Sequence, residues 1–311
     1  MTSRVIFLGT PAFAVPSLDA LSRLQRAGDV EIVAVITQPD RPGHRGRVTA
    51  PPVKETASAL GLDVLQPPKL DPAAVRAIIG LRADVLVWAA YGNLIPRALL
   101  DAVAQRAVNV HASLLPRWRG AAPIARAIES GDVETGITLM EGTPELDAGP
   151  ILVQERTPIA PSETAAELTA RLADLGAGLL ERELPRYLRA ELRGTPQDPT
   201  GVTVAPKLTT REALIDWERP AEEIARRVRA FSPEPGAHTS INGRRVVITR
   251  ASVTGGTPSE NGTVRVREGV PHIAAGAGWL RLDEVRPAGK QTMSGADWAR
   301  GARGLDGARA S

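Results

Sequence analysis

The chain has 311 residues, of which 43% are hydrophobic and 23% charged, and a net charge of +3. This composition is typical of globular proteins, and the length allows two domains. The chain contains no cysteine, which excludes disulfides, thiolate nucleophiles and cysteine-bound metals. No apolar run is long enough to cross a membrane, and the first residues lack a secretion signal, so we expect a cytoplasmic protein.

The first 113 residues alternate between short apolar runs and amphipathic helical patterns. Such alternation predicts a parallel β-sheet that is covered by helices on both faces. The predicted strands are 4–9, 30–37, 83–92 and 107–113, and the predicted helices are 15–28, 51–61 and 71–82.

Ligands of such sheets bind at the carboxyl ends of the strands. The sequence therefore predicts a site at this edge before any motif is considered. The residues that fall at such ends are Gly9, Tyr91, Asn109 and His111.

A long amphipathic pattern covers residues 162–194 and predicts one helix, with Gly176 and Pro185 as the two places where it could break. Residues 195–206 are rich in Pro, Thr and Gly and predict a linker. We therefore expect a first, Rossmann-like α/β domain over residues 1–194 and a second domain after the linker.

The second predicted domain covers residues 207–311. A helical pattern at 220–231 precedes several short β-like runs, and Asn-Gly at 242–243 is a hairpin signal. Short strands with close turns predict a small antiparallel barrel of the OB type.

This second domain is also the basic part of the chain. It contains 17 Lys and Arg against 12 Asp and Glu, whereas the first 206 residues carry a small negative excess. A basic surface is typical of proteins that bind a polyanion such as nucleic acid. Arginine makes up almost all of the basic residues, so compositional bias explains the excess equally well at this point.

Three polar residues are candidates for chemistry. Asn109 and His111 are two positions apart on a predicted strand, so their side chains point to the same side of the sheet. An amide donor beside an imidazole suits a reaction in which a carbonyl oxygen gains negative charge. Asp147, just before a Gly-Pro turn, can join the imidazole in acid–base catalysis. Spacing alone favours a structural histidine and an ordinary turn aspartate.

The sequence lacks the motif that a nicotinamide-dependent oxidoreductase needs to bind its dinucleotide. Gly-Thr-Pro at 9–11 follows the first predicted strand, where a dinucleotide-binding chain would carry its glycine-rich turn. Neither G-x-G-x-x-G nor the lysine of a phosphate-binding loop is present there. The first turn is therefore not typical of nucleotide binding.

Several segments resemble those of the methionyl-tRNA formyltransferase family. They follow one another in the same order and at the same spacing as in that family, and together they cover nearly the whole chain. The Asn-x-His pair with Ser-Leu-Leu-Pro and the later Leu-Asp-x-Gly are shared by folate-dependent formyltransferases in general, whereas TQPDRP and the second domain narrow the resemblance to the tRNA enzymes. The segments that carry it are FLGTPAFAVPSL, TQPDRPGHRGR, APPVKETA, VNVHASLLPRWRGAAPI, LDAGPIL, APKLT, IDW and RVRAFSPEPGA.

The resemblance implies transfer of a formyl group from 10-formyltetrahydrofolate to the amino group of methionine on initiator tRNA. It implies that the catalytic residues are Asn109, His111 and Asp147, and it implies no metal. The implied folate contacts lie in the Ser-Leu-Leu-Pro turn and at the end of the preceding strand: Ser113, Leu114, Leu115, Pro116, Tyr91 and Gly92.

The implied tRNA contacts lie in the loop at 40–47, which the family inserts into the acceptor stem. They are Arg41, with Arg45 and Arg47 beside it. Arginine suits this task because its planar guanidinium can stack on a base and grip a phosphate at two points. The expected state of the protein is a monomer.

Three alternatives stay open on the sequence. A sugar-nucleotide formyltransferase would share the three catalytic residues but would not need the arginine-bearing loop. A 10-formyltetrahydrofolate hydrolase would use water as the formyl acceptor. A non-catalytic RNA-binding protein would explain the basic half and leave the three residues without a role.

Overall fold

The computed structural model describes residues 2–42, 48–103, 106–258 and 260–311. The chain divides into two compact units. The first consists of Met1–Pro123, Glu134–Pro158 and Thr169–Ala205, and the second of Ile124–Val133, Ile159–Leu168 and Pro206–Ser311. Two short segments that precede residue 206 thus belong to the second unit. The domain boundaries drawn from the sequence stay predictions.

The first unit contains eleven of the strands found in the described residues. They are β1 (Ser3–Gly9), β2 (Val30–Ile36), β3 (Arg41–Pro42), β4 (Val48–Thr49), β5 (Val64–Leu65), β6 (Val85–Ala89), β7 (Ala107–His111), β8 (Arg119–Gly120), β9 (Glu134–Glu141), β10 (Ile151–Pro158) and β11 (Val204–Ala205). The α-helices found in the described residues of both units are α1 (Val15–Ala27), α2 (Pro52–Ala59), α3 (Pro72–Ile79), α4 (Arg97–Ala102), α5 (Pro123–Ser130), α6 (Ala165–Leu188), α7 (Ala221–Ala230) and α8 (Gly295–Gly301).

The main sheet of the first unit has seven strands in the order β10-β9-β7-β6-β1-β2-β5. The five strands from β7 to β5 are parallel, and β1, β6 and β7 are almost entirely buried, as continuous apolar runs require. The predicted Rossmann-like sheet is therefore confirmed. Two strands that the sequence analysis did not identify, β9 and β10, extend the sheet with antiparallel pairing.

Helix α6 runs without interruption through Gly176 and Pro185, so the break that the sequence allowed at these residues is wrong. Gly176 packs against β7 instead, and a Cβ atom there would lie 2.8 Å from the Cγ1 of Val110. The residue is a glycine because the strand is so close. Pro185 falls in the last turns of the helix, and its carbonyl still accepts from the N–H of Arg189.

The start of α6 is fixed by a capping box in the second unit. The backbone N–H and the hydroxyl of Thr164 donate to the Glu167 carboxylate at 2.9 and 2.8 Å. Arg250 also bonds this carboxylate. These contacts, led by the Thr164 N–H, lower the pKa of Glu167 to about 2.

The second unit is built on an antiparallel sheet in the order β12-β13-β16-β15-β14, with β17 paired to β16. Asn242 and Gly243 form the predicted hairpin turn, and both have positive φ, as the favoured two-residue turns require. The predicted small antiparallel C-terminal domain is therefore confirmed. Its strands are β12 (His238–Ile241), β13 (Arg244–Thr254), β14 (Val264–Arg267), β15 (Val270–Ala274), β16 (Trp279–Pro287) and β17 (Met293–Ser294).

Candidate active site

Strand β7 carries Asn109 at its centre and His111 at its carboxyl end, and both side chains are buried, at 5% exposure each. The loop between β9 and β10 folds back and brings Asp147 to them. The Asn109 Nδ2 donates to Asp147 Oδ1 at 3.3 Å, and the His111 Nδ1 lies 3.7 Å from Asp147 Oδ2. The three residues that the sequence analysis grouped across 38 positions thus form one cluster.

A backbone contact holds the imidazole of His111. Its Nε2 lies 3.0 Å from the carbonyl oxygen of Trp118. A carbonyl only accepts, so Nε2 carries the proton in this contact and Nδ1 faces Asp147. The 3.7 Å separation from Asp147 exceeds a hydrogen bond. The orientation of the ring therefore rests on Trp118, which the sequence analysis did not identify.

Two N–H donors approach the two oxygens of Asp147. Asn109 reaches Oδ1, and the backbone N–H of Gly120 donates to Oδ2 at 2.8 Å. Gly120 has φ 121°, and a Cβ there would lie 2.8 Å from the Ala205 carbonyl oxygen. Only glycine fits this position. The sequence analysis did not identify this backbone contact.

The Ser-Leu-Leu-Pro turn follows β7 and is held from below by β9 and β10. The hydroxyl of Thr138 donates to the Ser113 carbonyl at 2.6 Å and accepts from the Leu115 N–H at 3.1 Å. Gln154 donates to the Leu115 carbonyl at 2.8 Å. The backbone N–H and the backbone carbonyl of Leu115 are therefore both hydrogen-bonded to side chains of the first unit. The Ser113 hydroxyl also donates to the Arg117 carbonyl.

Tyr91 and Gly92 follow the carboxyl end of β6. The Tyr91 ring is 1% exposed and belongs to the hydrophobic core, and its burial raises the pKa of the phenol. Its carbonyl accepts from the Thr10 hydroxyl at 3.0 Å. Gly92 has φ 89°, and among the described residues other than its two chain neighbours no heavy atom lies within 4 Å of the position a Cβ would take. Open space at this edge is therefore found beside Gly92, while the tyrosine side chain packs inward.

The arginine-bearing loop starts from a hydrogen-bonded base. Arg41 is exposed in β3, and its Nη2 donates to the Gln38 Oε1 at 3.2 Å. The neighbouring Asp40 pairs with Lys54 at 2.7 Å and accepts from Gln66, and these contacts lower the pKa of the Asp40 carboxyl. Two further predicted contacts, Arg45 and Arg47, lie outside the described residues.

The described residues hold no group of three or more His, Asp or Glu side chains that could bind a metal ion. Within the same part of the chain, every helix is too short or too polar to cross a membrane.

Two family profiles match this chain. The profile described as "Formyl transferase" matches residues 3–184, and that described as "Formyl transferase, C-terminal domain" matches residues 207–303.

Two relatives that this chain matches over nearly their full length are methionyl-tRNA formyltransferases. The chain is 46% identical to the methionyl-tRNA formyltransferase of Halorhodospira halophila over 310 residues, which covers 99% of both chains. It is also 46% identical to that of Myxococcus xanthus, over 96% of this chain and 95% of the relative.

Solved structures share the fold at low identity. The N-formyltransferase from Helicobacter canadensis, in complex with folinic acid and dTDP-3-aminofucose, has a TM-score of 0.69 at 19% identity and covers 94% of this chain and 100% of its own. HypX from Aquifex aeolicus in complex with tetrahydrofolic acid has a TM-score of 0.67 at 18% identity over 98% of this chain. The chain spans about half the length of HypX, 48%. From the profiles and from its identity to full-length relatives, this chain belongs to the methionyl-tRNA formyltransferase family.

Proposed function

We propose that the chain transfers a formyl group from 10-formyltetrahydrofolate to the α-amino group of methionyl initiator tRNA, giving N-formylmethionyl-tRNA and tetrahydrofolate. The observation that carries the proposal is the contact of Asp147 with Asn109 and its approach to His111 at the carboxyl end of a parallel strand, in a chain 46% identical to a methionyl-tRNA formyltransferase over its whole length. The folate supplies the formyl group, and the residues of the site supply charge stabilisation and proton handling.

The donor set fits a formyl group. Attack of the amine on the formyl carbon places negative charge on the formyl oxygen, which hydrogen-bond donors stabilise. The Asn109 amide has two N–H donors, and its contact with Asp147 uses one, so the second can serve the oxyanion. His111, fixed by Trp118, lies on the same side of β7.

Asp147 and His111 handle the proton of the attacking amine. With Nε2 donating to Trp118, the imidazole presents Nδ1 toward the Asp147 carboxylate. The pair takes the proton as the new C–N bond forms and returns it to the folate nitrogen as the old C–N bond breaks. The proton count balances because the amine loses the proton that the folate nitrogen gains.

For tRNA recognition we propose Arg41 as a contact of the acceptor stem, with Arg45 and Arg47 beside it. Arg41 is exposed, and one nitrogen of its guanidinium donates to the Gln38 Oε1, so this contact positions the guanidinium at the start of the loop. One folate site and one tRNA acceptor end require no second copy of the chain, so we propose that the protein is a monomer. We also propose that it is located in the cytoplasm, where initiator tRNA is charged. Light scattering at working concentration tests the monomer.

One assay tests the activity. The chain is supplied with 10-formyltetrahydrofolate labelled in the formyl group and, in separate reactions, with methionyl initiator tRNA, an amino sugar nucleotide or water alone. We expect label on methionyl-tRNA and none on the sugar or in free formate above the background rate. Label on the sugar, label in formate, or no turnover would each contradict the proposal.

A further inference from the structure

The segment that the sequence predicts as a linker carries a side chain that contacts the active-site loop. Gln197 Nε2 donates to the carbonyl oxygen of Asp147 at 2.9 Å and to that of Gly149 at 2.8 Å. We propose that Gln197 is a positioning residue for formyl transfer, which acts by holding the backbone of Asp147. The inference rests on the catalytic role proposed for Asp147.

The backbone of Asp147 needs such support. Asp147 has φ 48°, a left-handed conformation that side-chain-bearing residues rarely adopt. The next turn brings Gly149 so close to the end of β9 that a Cβ there would overlap the Glu141 carbonyl. One amide nitrogen that bonds the carbonyls on both sides of Ala148 fixes this turn, and with it the direction of the carboxylate.

The orientation of the Gln197 amide is itself determined. Arg119 donates to Gln197 Oε1 from Nε at 3.0 Å and from Nη2 at 2.7 Å. A guanidinium only donates, so the amide oxygen must face Arg119 and the amide nitrogen must face the two carbonyls. Arg119 also precedes Gly120, whose N–H holds the carboxylate of Asp147. The two residues of β8 therefore both hold Asp147. Gly120 bonds its carboxylate directly, and Arg119 holds its backbone through Gln197.

The rest of the segment is paired on both sides of Gln197. Thr195 exchanges backbone hydrogen bonds with Ile151, at 2.8 and 2.9 Å. Thr203 accepts from the Trp118 N–H through its hydroxyl and from the Arg119 N–H through its carbonyl, both at 2.9 Å. This segment thus braces the turn whose Trp118 carbonyl holds His111, and the geometry assigns it to the active site.

The test compares four single variants and one double variant in single-turnover formyl transfer with saturating 10-formyltetrahydrofolate and methionyl initiator tRNA. Gln197→Ala removes the amide. Gln197→Glu keeps an oxygen that accepts from Arg119. It replaces the amide nitrogen by a second oxygen, which cannot donate to the carbonyl oxygens of Asp147 and Gly149. Asp147→Asn is the reference, and Asp198→Ala is the matched control, because that exposed neighbour bonds within its own turn, to Thr200.

We expect both Gln197 variants to slow the transfer step by about 10- to 100-fold, the loss that a displacement of about 1 Å produces in an oriented site. The half-saturating concentrations of folate and tRNA should stay near wild type, since Gln197 bonds protein groups. Gln197→Ala combined with Asp147→Asn should be no slower than Asp147→Asn alone, because one residue acts through the other. Asp198→Ala should match wild type.

The outcomes separate the two proposals. A wild-type rate for Gln197→Ala beside a slow Asp147→Asn overturns the role of Gln197 alone. Additive losses in the double variant, or a loss seen only in substrate affinity, overturn it as well. A wild-type rate for Asp147→Asn overturns the catalytic role of the aspartate and with it the positioning role. Should Gln197→Ala fail to fold, the near-isosteric Gln197→Glu carries the test.

Discussion

The substitution Asp147→Asn probes the candidate site most directly because it changes one atom of the side chain. The carboxylate accepts from Asn109 at Oδ1 and from Gly120 at Oδ2. An asparagine has one oxygen and one NH2 group, so whichever way it turns, one of these donors meets another donor. The negative charge beside His111 is lost as well.

The expected loss follows from what the residue does. A group that handles a proton or stabilises an oxyanion contributes about 10²- to 10⁴-fold in rate. At 1.36 kcal/mol for each factor of ten, this is about 3–5 kcal/mol of transition-state stabilisation. The side chain is only 12% exposed, so water compensates little for the missing acceptor.

The assay is a rapid-quench measurement of one turnover, with formyl-labelled folate and methionyl initiator tRNA in the presence of excess enzyme. Thermal unfolding and folate binding of the variant check that the fold persists. Asp198→Asn, the same exchange at an exposed turn, is the matched control. A rate for Asp147→Asn within about threefold of wild type would refute the assigned role.

Three other predictions concern the loop, the helix packing and the effect of pH. Arg41→Ala should cost about 1–3 kcal/mol in tRNA-dependent kcat/KM and leave folate binding unchanged; an equal loss in folate affinity would contradict this. Gly176→Ala should destabilise the fold by about 1–3 kcal/mol in denaturant titration because its Cβ has no room beside Val110, whereas Gly178→Ala, where space exists, should stabilise by about 0.5–1 kcal/mol. The folded pKa of Glu167, about 2, lies below its unfolded value, so its contribution is present at neutral pH and is lost as pH falls from about 5 toward 2. Glu167→Gln should therefore lower the melting temperature at pH 7 and have a diminishing effect in melts at lower pH; a constant difference would contradict the assignment.

The sequence alone determined the layout of the two folds. Continuous apolar runs separated by amphipathic helices specify a covered parallel sheet, because only such a sheet buries both faces of its strands. Asn242 and Gly243 specify a hairpin because both positions need positive φ. The spacing of Asn109 and His111 on one strand also placed them on one side of the sheet, a consequence of the two-residue period.

Other features required the tertiary structure. Helix α6 is continuous through Gly176, and this glycine is explained by the close approach of β7. The distance between the helix and the strand cannot be read from the sequence of the helix. The antiparallel strands β9 and β10 were not predicted. Most residues of β10 are half-buried on both faces of the strand, so its sequence lacks the alternation of apolar and polar residues that would identify a strand.

The support of the candidate site is the clearest case of this kind. His111 is oriented by a backbone carbonyl of Trp118, and Asp147 by a backbone N–H of Gly120. Every residue carries a backbone carbonyl, and every residue except proline carries a backbone N–H, so no side-chain pattern marks the ones that are used. The Pro- and Thr-rich segment around Gln197 is typical of a linker by composition, yet its amide meets two carbonyls of the loop that carries Asp147. Only the folded chain brings residues 50 positions apart together, because their contact depends on the path of the backbone between them.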